Sequence, residues 1–209
     1  HDVQDVHDSI RALDVTQESD ATREMYGIGQ KDTDNFGKRC LLARRLVERG
    51  VRFVQLYPRG QMFDNHGSIR TSLPNALKHT DQPVAALIRD LRQRGLLDST
   101  LVIWGGEFGR LPTAQNYDPK KPAKVGRDHG PYGFTTWMAG GGVKAGSIYG
   151  ATDDFGFASV ENRVSIQDWH ATILHLLGMD HERLHWAHNG LDEKLTHTLK
   201  TRMVHDVIA

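Results

Sequence analysis

The 209-residue chain has one cysteine, Cys40, so an internal disulfide and any zinc module built on several cysteines are excluded. Net charge is also lacking, because 26 Lys and Arg residues balance 26 Asp and Glu residues. A global basic field for nucleic acid or an anionic lipid surface is therefore absent, and no nucleic-acid partner is expected. No apolar run approaches the roughly 20 residues of a membrane span. Internal repeats and low-complexity tracts are missing too. The glycine run GGGVKAG at 140–146 fits neither a dinucleotide-binding fingerprint nor a P-loop, and reads as a turn. The chain opens on His1, not Met, and HDVQDVHDSIRALD reads as the inside of a helix with no secretory leader before it. A piece of a longer polypeptide is the expectation. What the chain does have is an ordinary globular balance, 38% hydrophobic and 25% charged, consistent with one domain over residues 1–209. It also has twelve histidines, the first pointer to metal chemistry.

The apolar spacing gives a coarse element map. Residues 1–35 are polar, with Val6, Ile10 and Leu13 spaced for one weak helix. Phe36, Cys40, Ala43 and Val47 form a helical stripe that Asp32, Thr33 and Asp34 can cap and Gly50 can stop. Residues 51–57 (VRFVQLY) are rich in β-formers and end at Pro58, which predicts a strand, followed by a loop over 58–72. Val84, Leu87, Ile88 and Leu91 predict a second helix, kinked at its start by Pro83 and closed by Gly95. Residues 100–104 and 134–139 read as strands, and Ile166, Trp169, Ile173 and Leu177 as a third helix stopped by Gly178. This alternation predicts an α/β fold with a mostly parallel sheet and flanking helices. The loops 58–72 and 105–131 both leave the carboxyl ends of strands, where open α/β sheets bind ligands.

Three polar clusters fall on those loops. Asp64 and His66, in FDNHG, are spaced i, i+2, which in extended backbone puts both side chains on one side, where they can share a divalent ion. Glu107 follows a strand and two glycines, well placed as a metal ligand or general base. Arg110 is a candidate anion clamp, since its planar fork matches phosphate or sulfate oxygens. In GRDHGP, His129 can complete an Asp/His/His set, Asp128 can orient a ring from behind, and Arg127 adds positive charge for an anionic substrate. The set Asp64, His66, Glu107 and His129 suits Zn or Mn about equally, with Ca or Mg as the other divalent choices. Each cluster also has a bland reading: a capped turn at 64–66, a Glu107–Arg110 ion pair, and a charged loop stiffened by Gly and Pro at 126–131.

Other signals carry less. HERLH at 181–185 matches the zincin pattern H-E-x-x-H, but it follows a helix stop at Gly178 and lacks a clear third ligand. His170 shares a helical face with Ile173, Leu174 and Leu177, which predicts a core histidine. Asp168 reads as satisfying the helix start, and Cys40 as core packing.

Read together, FDNHG, WGGEFGRLPTAQ, GRDHGPYGFTTWMAGGGVKAGSIYGATDDFGF and DWHATILHLLGMDHERL resemble the carboxy-terminal half of a large bacterial family of unknown function. That family is described as sulfatase-like and related to the alkaline phosphatase superfamily, and the resemblance runs from about residue 30 to the end. It implies an alkaline-phosphatase-like core, and a hydrolase that acts on phosphate or sulfate esters with up to two divalent metals. One metal would be held by Asp64, His66 and His129. Glu107 matches an Asp of the second set, but Phe108 stands where that set has a His, and the 64–66 spacing is tighter than usual. The resemblance also implies that the nucleophile and a first metal-binding Asp come from an amino-terminal half of the parent chain, which would then be a partner of this half. It implies export to the cell envelope or periplasm. The alternative is a non-catalytic relative that binds an anionic glycan or a protein partner through the same loops.

Overall fold

The computed structural model describes residues 13–196 and 200–209. Val6 and Ile10 of the first expected helix lie outside the described residues. The chain divides into two compact units, one holding residues up to 100 together with 113–128, the other 101–112 together with 129 onward.

The first unit is built on helices. A short helix α1 (Asp20–Met25) starts at Ser19, whose hydroxyl accepts the Thr22 amide, and leads to α2 (Asp34–Glu48). The third helix, α3 (Ile69–Gln93), is 25 residues long and contains Pro74 and Pro83. It begins far upstream of the start expected near Pro83. The stripe that buries it explains why: Ala76, Thr80, Pro83, Leu87, Asp90 and Leu91 recur at helical spacing, but the first members are small or polar. Each proline removes one backbone donor at a cost of about 3 kcal/mol in a helix interior, and burial along the stripe offsets it. α2 packs against α3 around Tyr26, Cys40, Leu41, Ala86 and Leu91, all buried. Burial pushes the Cys40 thiol up to about 12, so it stays protonated and serves as packing. Gly50, with φ of 83°, ends α2 as its position predicted.

Charge is also buried here. Arg44, 1% exposed, pairs with Glu18 at 2.7 Å, Glu48 at 2.7 Å and Asp90 at 2.8 Å. Arg45 pairs with Glu18, Arg94 pairs with Asp90 at 2.7 Å, and the Tyr26 hydroxyl donates to Asp90 at 3.0 Å. Burial alone pushes the Glu18 carboxyl up, but the two guanidiniums of Arg44 and Arg45 outweigh it and hold the group below the usual carboxylate range.

The second unit carries short ladders. β1 (Val102–Trp104) pairs antiparallel with β4 (Trp137–Ala139), with Ile103 opposite Met138. β2 (Gly109–Arg110) pairs with β3 (His129–Gly130), β5 (Ala151–Thr152) with β6 (Ser159–Glu161), and β7 (His185–His188) with β8 (Leu191–Lys194). The helix α4 (Ile166–Leu176) opens with a capping box, in which Ser165 and Asp168 each accept the other's amide. Asp168 also accepts the Arg202 amide at 2.8 Å, and the Thr172 hydroxyl accepts the Val204 amide at 3.0 Å. Thus α4 binds the carboxyl-terminal stretch through two buried side chains.

The mostly parallel sheet expected from the alternation of elements is not present. Among the described residues every ladder is a two-stranded antiparallel pair, so the fold is not an alkaline-phosphatase-like core. Residues 51–57 are extended, held by the Val51 amide on Leu46 and by Arg39 donating to the Tyr57 carbonyl at 2.7 Å, yet they join no described ladder. Alternation fixes the order of elements; pairing is decided by which backbone edges meet, and β1 meets β4 through a loop return rather than a helical crossover. No helix among the described residues is long and apolar enough to cross a membrane.

Candidate metal centre

Asp64 and His66 do not sit on extended backbone. The Asn65 amide bonds the Phe63 carbonyl and the His66 amide bonds the Asp64 carbonyl, each at 3.1 Å, so the chain turns twice in succession. This tight turn still directs both side chains together, with Asp64 Oδ1 3.0 Å from His66 Nε2. Asn65 between them is buried, and its carbonyl accepts the Arg127 amide at 3.0 Å.

Two further chain segments brace the turn. The Ser68 and Ile69 amides, at the start of α3, donate to the carbonyls of Lys124 and Val125 at 3.2 and 3.0 Å. Gln115 and Gly126 form an isolated antiparallel bridge, with N–H···O distances of 2.8 and 3.1 Å. Gly126 has to be glycine for a steric reason: a Cβ there would lie 2.0 Å from the His66 carbonyl carbon. On this platform the Gln115 side chain reaches His66, with Oε1 2.8 Å from Nδ1, and the Asn116 amide group donates to the His66 carbonyl at 3.2 Å.

His129 lies in the second unit, in the β2–β3 ladder. One ligand atom from each of Asp64, His66 and His129 lies within 4.8 Å of the others. An ion bonded at about 2.0–2.2 Å to N and O donors fits between atoms this close after small side-chain rotations. One carboxylate and two imidazoles form a mixed O/N donor set that suits Zn or Mn.

The other expected residues are placed as follows. Arg110 is the direct cross-strand partner of His129 in the β2–β3 ladder, which puts the two side chains on one face. The Phe108 ring packs tilted against the His129 ring, with centroids 4.3 Å apart and planes 43° from parallel. Glu107 is exposed in the bend between β1 and β2 and is not a member of the three-residue cluster. Asp128 stands 3.9 Å from His66 Nδ1, and the contact to that nitrogen within hydrogen-bond range is from Gln115. Sequence reasoning passed over Gln115: it lies eleven positions before Gly126 in a proline-containing loop, and no spacing rule marks it. HERLH is not on a helix. Residues 181–183 form a turn and His185 begins β7. The His185 Nδ1 pairs with Asp192 at 2.8 Å, and Nε2 contacts the Glu182 carbonyl at 3.0 Å. His181 is buried near Thr196. His170 is half-buried, with its Nδ1 2.8 Å from the Ile166 carbonyl.

The chain matches the family described as "Protein of unknown function (DUF1501)" over residues 6–208. No curated protein matches the chain. No solved structure matches it either. This corrects the sulfatase-like and alkaline-phosphatase resemblance: the matching family carries no assigned function and nothing in the match points to a sulfatase, while the short antiparallel ladders are a different core. With nearly its whole length matched, the chain belongs to the family of unknown function DUF1501.

Proposed function

We propose that the chain binds one divalent metal ion, Zn or Mn, through Asp64, His66 and His129, and that the site hydrolyses an anionic ester, a phosphate or a sulfate. The observation that supports this reading is the convergence of those three ligand atoms within 4.8 Å. When bound, the metal would supply Lewis-acid polarisation of the ester oxygen and a water acidic enough to attack near neutral pH. Asp64 offsets the ion's charge and fixes His66 beside it. Arg110, across the ladder from His129, and Arg127, on the loop bonded to Asn65, offer planar donor forks to the ester's anionic oxygens. Phe108 covers one face of the His129 ring and limits the ring's rotation.

A second reading is anion binding without turnover, with Arg110 opposite His129 in the ladder and Arg127 on the loop bonded to Asn65 as the anion contacts. The test loads the purified chain with Zn or Mn, removes free metal by dialysis, and measures bound metal and hydrolysis of aryl phosphate and aryl sulfate. The expected result is about one equivalent of metal, lost in His129→Ala, with turnover abolished by Asp64→Ala. Metal retention below a tenth of an equivalent, unchanged by His129→Ala, would overturn the metal reading. Full metal retention with no turnover of either ester would leave the binding-only reading.

A further inference from the structure

We infer that the loop of residues 116–125 is a second anion subsite, and that the ester handled at the 64–66 turn carries a second anionic group, a phosphate or a sulfate, which this loop holds. This deepens the hydrolase reading of the turn and rests on it. Within 116–125 three lysines, Lys120, Lys121 and Lys124, stand against one acid, Asp118. The three lysines are exposed. None of them makes an ion pair among the described residues, in contrast to Lys38, which pairs with Asp34 at 2.8 Å. The Asp118 carboxylate accepts the Lys120 backbone amide at 2.8 Å. A local excess of positive charge therefore stands on a chain whose formal net charge is zero.

Both feet of the loop stand on the turn. On one side the Asn116 side chain donates to the His66 carbonyl at 3.2 Å. On the other, the Lys124 and Val125 carbonyls accept the Ser68 and Ile69 amides at 3.2 and 3.0 Å, and the bridge between Gln115 and Gly126 closes the neck. The loop is stiff as well as anchored. Pro119 and Pro122 each fix one φ angle. The Lys121 amide on the Asp118 carbonyl and the Lys124 amide on the Lys121 carbonyl, each at 2.9 Å, close two successive turns. A turn of this kind keeps its end Cα atoms within about 7 Å, so Lys121 and Lys124 are close enough to meet one phosphate or sulfate group, with Lys120 adjoining. Order already present in the backbone lowers the entropy lost when such contacts form. The acids on the floor, Asp64 and Asp128, face His66 at 3.0 and 3.9 Å. A single anionic group is met by Arg110 and Arg127 in the proposed function; the loop's charge matches a substrate that carries one more.

The test has two arms. In the first, tripolyphosphate and a trisulfated disaccharide are titrated into the metal-free chain at low salt and followed by calorimetry, so the outcome does not depend on metal uptake. The tighter of the two probes names the group held. Its affinity should fall about tenfold in the triple variant Lys120→Gln/Lys121→Gln/Lys124→Gln, the size expected of a few exposed charge contacts. A control variant, Lys31→Gln/Lys144→Gln/Lys194→Gln, removes the same charge elsewhere and should keep the native affinity. Failure of both probes to bind the native chain, a loss below about twofold in the loop variant, or an equal loss in the control would overturn the subsite. In the second arm the metal-loaded chain hydrolyses phenyl phosphate and a ring-sulfonated phenyl phosphate. In the loop variant KM should rise for the sulfonated ester alone, with kcat kept; an equal rise for both esters would overturn the subsite. If the native chain turns over neither ester, the hydrolase reading falls and the calorimetry still judges the loop.

Discussion

Around Arg44 three guanidiniums meet three carboxylates in a buried cluster, whereas around His66 a carboxylate and an amide oxygen face one ring in a half-exposed turn. The Arg44 cluster sets three guanidiniums, from Arg44, Arg45 and Arg94, against three carboxylates, from Glu18, Glu48 and Asp90. Arg44 is 1% exposed, so its desolvation is large and only saturation of its fork makes the burial tolerable. The Asp64 and His66 side chains are 30% and 38% exposed. At that exposure water and ions reach them. The buried cluster specifies packing; the half-exposed one is accessible to a ligand.

The largest test of that contrast is Arg44→Leu. It leaves Glu18, Glu48 and Asp90 in place with one partner fewer in a buried setting, and removing one side of a buried ion network costs about 3–5 kcal/mol. Urea denaturation should show that loss as a lower midpoint, and metal uptake by the molecules that remain folded should be unchanged. A loss below about 1 kcal/mol, the range of exposed ion pairs, would mean that the cluster is wetter than its burial implies and would erase the contrast.

An intermediate effect is expected from Gly126→Ala. The added methyl group cannot coexist with the His66 carbonyl carbon 2.0 Å away, so the 64–67 turn or the 115–126 bridge must shift. Overpacking of this kind costs about 1–3 kcal/mol. Because the displaced peptide carries a ligand, metal affinity measured by competition with a chelator should fall more than stability does. Equal affinity in native and variant chains would show that the turn is not what shapes the donor set.

The sequence made part of this legible. The spacing located α2 and α4, and glycines with positive φ stop both, at Gly50 and Gly178, but the buried positions are Gly37, Cys40, Leu41, Ala43, Arg44 and Arg45 in α2 and Asp168, Ala171, Thr172 and Leu174 in α4. α3 was half hidden because its first buried positions are Ala76, Thr80 and Pro83, residues that carry the period with little hydrophobic contrast. Strand pairing was not legible: residues 51–57 have the composition of a buried strand yet join no described ladder. Composition reports what an element would bury and not which edge it meets. At the site, the types and spacing of Asp64 and His66 marked a ligand pair, although the backbone between them turns where an extended path was expected. Gln115 was invisible because its role depends on a bridge to Gly126 that no local pattern encodes.

The smallest expected effect belongs to the histidine whose motif looked most like a metal site. In His185 both ring nitrogens are engaged, Nδ1 with Asp192 at 2.8 Å and Nε2 with the Glu182 carbonyl at 3.0 Å. The residue stands on the hairpin of β7 and β8, outside any helix, so His181 and His185 lack the one-face geometry that H-E-x-x-H requires. Like Arg44, it faces groups already present in the protein. Its exposure limits what that satisfaction is worth, since solvent-accessible ion pairs contribute about 0–1 kcal/mol. His185→Ala should therefore leave bound metal at the native stoichiometry and shift the urea midpoint only slightly. A measurable fall in bound metal in this variant would place a second ion on the hairpin.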